Sequence, residues 1–349
     1  MKKISKIIKC IVFFIIGMCI FQILTHIFVP KWVHPFDPAS ARIKMFYKEK
    51  NDTLDGVLVG SSGAGRGYSP ISAWKEYGIT TYNFGTSYQT TPMAYYKIKE
   101  ILKYQKPKVI ILDMDSIVVN NTTEEATRKI FDNMKLDEVK LEAISDNNIN
   151  IENKLSYIFP MLRFHSRWNQ LEKIDFKKSF TEEYEKVSYK GVPMIIQSKS
   201  YIGAIDYMRD KKQVFDIPKN DLIYIKKIIN LCNKNNIKLL LIEMPSPNSW
   251  SLAKSKAVEQ IAYQYNLEFI DFNLLIDKLN IDWKKDTYDK GDHLNIYGAE
   301  KVSKYLAKVL YEKYNCKNYK QDESISQIWN AEVNRYEQNK QKLINEKNN

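Results

Sequence analysis

Residues 56–70 read GVLVGSSGAGRGYSP. A short β-branched run ends on Gly60; two serines, several small residues, Arg66 and Pro70 follow. Three readings compete for such a stretch: a tight turn with filler serines, a phosphate-binding loop, or a turn that presents a nucleophilic serine. A P-loop needs a glycine, four residues and then Gly-Lys-Ser/Thr, and no lysine stands there. A dinucleotide fingerprint needs Gly-x-Gly-x-x-Gly opening a helix. Here the order is Gly63-Ala64-Gly65-Arg66-Gly67. The helix that Pro70 admits, from about Ser69 through Glu76, starts too late to hold phosphate against those glycines. The nucleophile reading needs a serine on a sharp turn after a strand, with small neighbours, and Gly60, Gly63 and Ala64 supply them.

Outward from this turn, apolar strand-like runs alternate with helical ones. DGVLVG (55–60), TTYNFG (80–85), KVIILD (108–113), IKLLLIEMP (237–245) and LEFIDF (267–272) read as strands. Residues 93–105, 220–235, 253–265 and 296–314 read as helices, the last with Val302, Leu306, Val309 and Leu310 at helical spacing. Such alternation predicts an α/β fold with a parallel sheet of about five strands and helices on both faces. Sites in such sheets lie at the carboxyl ends of strands, where the serine turn falls. Residues 117–217 break the rhythm, with FPMLRFHSRW (159–168) in their middle, and are expected as a partly helical insertion covering the site. The tail, 317–349, is polar and charged and is expected as a surface helix.

A serine hydroxyl is a poor nucleophile at neutral pH and needs imidazole to take its proton. The chain holds four histidines. His26 and His34 lie in or beside the apolar N-terminal run, which leaves His165 and His293. His293 sits in YDKGDHLNIYGAEK (288–301), between the last strand and the last helix. That loop is also at the carboxyl end of the sheet, with Asp289 and Asp292 at hand to fix the ring tautomer.

The N-terminus places the protein. Lys2, Lys3, Lys6 and Lys9 precede an uncharged, mostly apolar run from Cys10 to Val29, about the 20 residues a bilayer-spanning helix needs. The nearest small-residue triplet suited to cleavage, Ala39-Ser40-Ala41, lies beyond Lys31 and Asp37, too far for a signal peptide. The reading is a cytoplasmic flank (1–9), an uncleaved anchor (10–29), a stalk and lead-in (30–54) and a domain (55–316) on the extracytoplasmic side. Hydrophobic residues are 44% and charged residues 27%, which excludes a disordered chain. The net charge of +12 favours a polyanionic partner; outside the cell this means the membrane or a wall polymer rather than nucleic acid. Cys232 and Cys316 lack metal-ligand spacing and either form a disulfide or remain free thiols.

Taken together, VLVGSSGAGRGYSP, YNFGTSYQTTPMAYYKIKEILKYQKPKVIILD and GDHLNIYGAEKV resemble the successive blocks of the SGNH (GDSL-like) hydrolase superfamily. The resemblance runs from Asp55 to about Leu310 and is closest to a membrane-anchored bacterial branch akin to DltD and to polysaccharide O-acetylation proteins, in which FPMLRFHSRW also looks at home. It implies a flavodoxin-like three-layer α/β/α sandwich. It implies Ser62 as nucleophile with Ser61 at the usual Asp position, and His293 as base. It implies an oxyanion hole from the N–H groups of Ser62 and Gly85. There are two departures. The usual Asp-x-x-His spacing would place the carboxylate at Lys290, so Asp289 is favoured, with Asp292 as the alternative. The stretch DMDSIVVNN (113–121) offers no clean match for the third-block Asn, and Gln89 is the candidate substitute donor.

Other residues have plainer readings. Arg66 either holds an anionic substrate or pairs with a carboxylate, the pair being favoured. His165 is expected to be packed and hydrogen-bonded, with a substrate role as the alternative, and Trp168 is expected in the core. Asp113 and Asp115 lack a third ligand, and no metal or organic cofactor is expected. The expected chemistry is acyl transfer through Ser62 to water or to a hydroxyl of a surface polysaccharide or teichoic acid, beside a membrane-bound O-acyltransferase. The alternative is a non-catalytic surface-polymer assembly protein that keeps the fold.

Overall fold

The computed structural model describes residues 2–31, 34–118, 123–177, 179–204, 206–209 and 214–348. Helix α1 (Lys2–Phe28) leads to α2 (Ala39–Phe46), β1 (Gly56–Val59), α3 (Ser62–Gly67), α4 (Pro70–Tyr77), β2 (Thr81–Asn83), α5 (Thr91–Ile101) and β3 (Val109–Asp113). Five short helices follow: α6 (Glu124–Phe131), α7 (Glu138–Ser145), α8 (Leu155–Ile158), α9 (Met161–Phe164) and α10 (Thr181–Val187). The chain then returns through α11 (Lys219–Lys234), β4 (Lys238–Glu243), α12 (Leu252–Tyr265), β5 (Glu268–Asp271), α13 (Ile296–Lys313) and α14 (Glu323–Asn348).

All five strands are parallel, in the order β2-β1-β3-β4-β5. Side chains alternate across a strand, and the core divides accordingly. Val57, Val59, Ile110, Leu112, Leu239 and Leu241 face one apolar cluster together with α5, α11 and α12. Leu58, Val109, Ile111, Leu240 and Ile242 face the other, together with α13. Buried on both faces, the strands read as continuous apolar runs. The order reverses direction between β1 and β3, and the crevice at such a reversal, beyond the carboxyl ends, is where open sheets of this kind hold ligands.

Local chemistry sets the helix ends. The Ser69 hydroxyl accepts the Ser72 N–H with Pro70 in the first turn, and Gly78, at φ 65, ends α4. The Asn295 side chain accepts the N–H groups of Tyr297 and Gly298 and starts α13. The helix expected from about Ser69 is α4; a separate six-residue helix, α3, which the sequence reading did not expect, begins directly at Ser62. Small residues allow its backbone to turn immediately after the strand.

Two segments expected outside the domain pack into it, and the two buried cysteines take one of their two expected states. Part of the expected stalk belongs to the domain: α2 buries Arg42 and inserts Phe46 against Tyr82 and Phe84. The charged tail forms α14, which buries Trp329 and Tyr336. Trp329 stacks on Trp74 at 5.3 Å, and the Tyr336 hydroxyl donates to Glu300 at 2.6 Å. Each such aromatic contributes roughly 2–3 kcal/mol, which charge composition hides. Cys232 and Cys316 are free thiols in opposite clusters, which excludes the disulfide.

From Lys6 to Phe28, α1 is long and apolar enough to cross a membrane; its most apolar window has mean hydropathy 2.6, and none of that window is buried. Within 117–217, α9 and residues 165–176 pack around the end of α1, and residues 195–199 hydrogen-bond to the loop that carries His293.

Candidate active site

Gly60 and Gly85 let three loops close together. A Cβ on Gly60 would collide with Asp113 at the end of β3, and one on Gly85 would collide with the backbone of Gly65. Ser61 follows Gly60 and its hydroxyl donates to Asp115. Ser62 is then the first residue of α3 and is partly exposed.

Ser62 Oγ lies 2.7 Å from His293 Nε2. His293 Nδ1 lies 2.6 Å from Asp289 Oδ2, and the His293 backbone N–H donates to Asp289 Oδ1 at 2.7 Å. Asp292 comes no closer than 3.3 Å to Nδ1 and is half exposed. The structure therefore joins Ser62, His293 and Asp289 in one line and leaves Asp292 at its edge. Asp289 reaches the ring from four residues back because Lys290 and Gly291 both adopt positive φ, 67° and 94°. This left-handed pair shortens the loop. Thr287 Oγ1 holds the loop by donating to the His293 carbonyl at 2.8 Å and accepting Gly291 N–H at 2.8 Å. Ser246, beyond β4, donates to the Asp292 carbonyl at 2.8 Å.

Burial alone would raise the pKa of Asp289. Hydrogen bonds from the His293 ring and backbone and from the Tyr288 hydroxyl outweigh it and hold the carboxyl below its ordinary value. Tyr288 also stacks on His293, with centroids 5.9 Å apart. Arg66 lies over the Tyr288 ring, 5.7 Å from its centroid, and reaches Ser87 Oγ at 3.5 Å. Among the described residues it makes no ion pair, so the carboxylate partner favoured from sequence is not found. It acts electrostatically on Asp37, whose pKa it helps to lower.

The expected oxyanion donors divide. The Gly85 N–H already donates to Asn83 Oδ1 at 3.1 Å, so it is not free to meet an oxyanion. The glycine is required for close packing instead. Gln89 is fully buried, and neither side-chain amide atom has a hydrogen-bond partner among the described residues. Of DMDSIVVNN, Asn120 and Asn121 lie outside the described residues. His165 is exposed on the segment around the end of α1, its Nδ1 3.2 Å from the Met161 carbonyl, and Trp168 beside it is 71% exposed. Both were expected to be packed. Asp113 and Asp115 join no third metal-ligand donor among the described residues. Donor atoms of Asp289, Asp292 and His293 do lie within 4.8 Å of one another. A cation there would compete with the hydrogen bonds that both Asp289 oxygens and both ring nitrogens already make.

Two supporting residues escaped the sequence reading. Arg42 is fully buried and donates to the carbonyls of Gly191 (2.6 Å), Gly65 (2.9 Å) and Gly85. Burial, the largest influence, lowers its pKa to about 10. Asn83 Nδ2 donates to Ala64 at 2.9 Å, Gly65 at 3.3 Å and Tyr68 at 2.7 Å. It thereby satisfies the last carbonyls of α3. Asn83→Ala leaves four backbone groups without that partner, and we expect a loss of about 2–4 kcal/mol in urea unfolding of the detergent-solubilised chain. A loss under ~0.5 kcal/mol would show that water replaces the amide at no cost.

Behind the site, Asp113, Asp115 and Glu243 act on one another electrostatically at the strand ends, without their oxygens converging as a metal set. Asp113 and Glu243 are buried, and both carboxyls are raised well above their ordinary values, first by burial and then by neighbouring carboxylates. A raised native pKa means that the folded state keeps protons the unfolded chain would release. Stability is then highest below pH ~4 and falls as pH rises through the native pKa, by about 1.4 kcal/mol per pH unit and group. Glu243→Gln removes one such group. The melting temperature should rise relative to wild type at pH 8 and match it near pH 4. An unchanged difference across that range would mean that Glu243 is ionised in the fold.

No protein-family model matches the chain, and no curated protein matches it either. The geometry of Ser62, His293 and Asp289 therefore has to carry the functional reading.

Proposed function

We propose that this chain is a membrane-anchored serine esterase or O-acyltransferase of SGNH type, with its domain on the extracytoplasmic side. The observation that carries the reading is the continuous contact from Ser62 Oγ through His293 to Asp289, at 2.7 and 2.6 Å. The reaction class is acyl transfer between oxygens. His293 Nε2 takes the Ser62 proton as Oγ attacks the acyl carbonyl. Asp289 holds the proton on Nδ1 and stabilises the imidazolium. The tetrahedral oxyanion is met by the Ser62 N–H, such a donor being worth about 3–4 kcal/mol where aligned; Gln89, the substitute expected from sequence, is fully buried and would have to be uncovered to add a second donor. His293 then protonates the leaving alkoxide, which departs and leaves an ester on Ser62. In the second half, water or a polymer hydroxyl gives its proton to His293, attacks that ester and releases Ser62 Oγ, which takes the proton back. The anchor and the net charge of +12 favour an anionic surface polymer as acceptor, such as teichoic acid or a polysaccharide, with a membrane-bound O-acyltransferase as donor partner. Arg66, without a carboxylate partner among the described residues and beside Tyr288, would hold an anionic group of the substrate.

One observation favours a second reading, a non-catalytic polymer-assembly protein: the Gly85 N–H is already hydrogen-bonded to Asn83. Labelling with a fluorophosphonate separates the two. Stoichiometric labelling of wild type and none of Ser62→Ala is expected of the enzyme; no Ser62-dependent adduct and no ester turnover is expected of the binder.

A further inference from the structure

Where α1 ends, the domain encloses a cavity of about 1040 Å³, at the upper end of the range for small-molecule sites. Its walls come from the α1 exit, from α2, from α6 and from residues 160–184. A second cavity of about 450 Å³ adjoins it and shares Pro30, Lys31 and Phe164. Val29, Ala39, Phe164, Phe180 and Tyr184 make the interior largely apolar. Neither cavity belongs to the Ser62 turn.

The charged groups around this space are unevenly matched. Lys129 pairs with Asp37 at 3.0 Å and with Glu125 at 3.5 Å. Arg128 pairs with Glu124 at 2.9 Å, and Asp132 is taken by Arg163 at 2.6 Å. Lys31 and Lys44 remain. Among the described residues neither has a carboxylate within 4.0 Å. Lys31 donates only to the backbone carbonyls of Val29 (2.6 Å) and His26. Burial is the largest influence on both ammonium groups and lowers their pKa values, that of Lys31 to about 8. Asp175 and Asp132 act on them only from beyond ion-pair distance, and two desolvated ammonium groups without a paired carboxylate, lining an apolar space, suit a ligand with an anionic head and an apolar tail.

The position of the cavity supplies the ligand. It opens at the end of a helix able to span a membrane. Around that end the segment 155–176 exposes Leu155, Phe159, Leu162, Trp168 and Phe176. Exposed aromatic and aliphatic side chains ringing a helix exit belong at the level of lipid headgroups. Arg167 ties this segment to α1 by donating to the Phe28 carbonyl at 2.9 Å.

We propose that this cavity is a binding site for one anionic phospholipid of the surrounding bilayer, with an acyl chain among Val29, Phe164 and Phe180 and its phosphate against Lys31 and Lys44. The site does not involve Ser62 or His293 and stands whether or not the chain is an esterase.

The test uses the full chain in phosphatidylcholine nanodiscs. These are doped at equal mole fraction with phosphatidylglycerol or phosphatidylcholine carrying a diazirine on one acyl chain, and adducts are mapped by peptide mass spectrometry. Phosphatidylglycerol should label α6 and residues 160–184 about fivefold or more over phosphatidylcholine. Lys31→Gln with Lys44→Gln should remove that preference, while Lys31→Arg with Lys44→Arg retains it, which separates lost charge from lost folding. Equal labelling by the two lipids, labelling confined to α1, or a preference that survives the double Gln change overturns the proposal. So does loss of label on adding millimolar glycerophosphoglycerol, which would make this a site for a soluble anion rather than for a lipid.

Discussion

If the proposed esterase chemistry holds, Ser62→Ala should lower turnover of a small aryl ester by about 10⁵-fold or more, with the fold intact. The expectation rests on how completely the hydroxyl is engaged. Its oxygen contacts His293 Nε2 at 2.7 Å, and it opens α3 directly after the close approach of Gly60 to Asp113. Ser61 is the nearest alternative, but it is buried and donates to Asp115, so it should not rescue the variant. Stability should change by less than ~1 kcal/mol, since Ser62 makes no other side-chain hydrogen bond in the described residues. The measurement is a pair of rates, wild type and variant, alongside urea unfolding of both. A variant that unfolds normally and keeps more than a tenth of the wild-type rate would remove Ser62 from the mechanism.

Asp289→Asn should lower the same rate by about 10³–10⁴-fold, whereas Asp292→Asn should cost less than about tenfold. The reason is geometric. Asp289 accepts both the ring and the backbone N–H of His293, so an amide there either loses a hydrogen bond or presents N–H to Nδ1 and selects the wrong tautomer. Asp292 is half exposed at 3.3 Å and contributes mainly a screened charge. The pH dependence adds a second check. The lowered pKa of Asp289 keeps it ionised through the neutral and mildly acid range. Its stabilising contribution is present above the unfolded pKa near 4 and disappears only as pH falls through the lower native value. Asp289→Asn should therefore lower the melting temperature at pH 6–7 and make little difference near pH 2. Equal kinetic losses for the two variants would mean that the carboxylates share the role.

The three central strands were legible because parallel strands buried on both faces must be apolar throughout, and KVIILD and IKLLLIE show little else. The two loops of the candidate site were legible because serine and histidine at the carboxyl ends of such strands have few structural reasons to be there. What failed failed for identifiable reasons. Gly85 reads as an oxyanion donor from its block, but only the fold shows Asn83, two residues earlier in the same chain, turning back to take its N–H. Arg66 was expected to find a carboxylate; in space it meets an aromatic face, because the loop carrying Tyr288 closes over it. Arg42 and Asn83 gave no sequence signal, since an arginine in a lead-in and an asparagine at a strand end are ordinary. Their work is to satisfy backbone carbonyls drawn from α3, from the turn after β2 and from Gly191.

By itself the sequence determined the alternation of strands and helices, the apolar N-terminal run, and the pairing of a glycine-flanked serine with a histidine in the last loop. These follow from periodicity and residue type, which are local. The tertiary structure decided the choice between Asp289 and Asp292, because that depends on the left-handed turn at Lys290 and Gly291. It also decided that the lead-in and the charged tail belong to the domain, and that a basic, largely apolar cavity lies where α1 meets it. Each of these depends on long-range packing between segments far apart in the chain, which no window of the sequence contains.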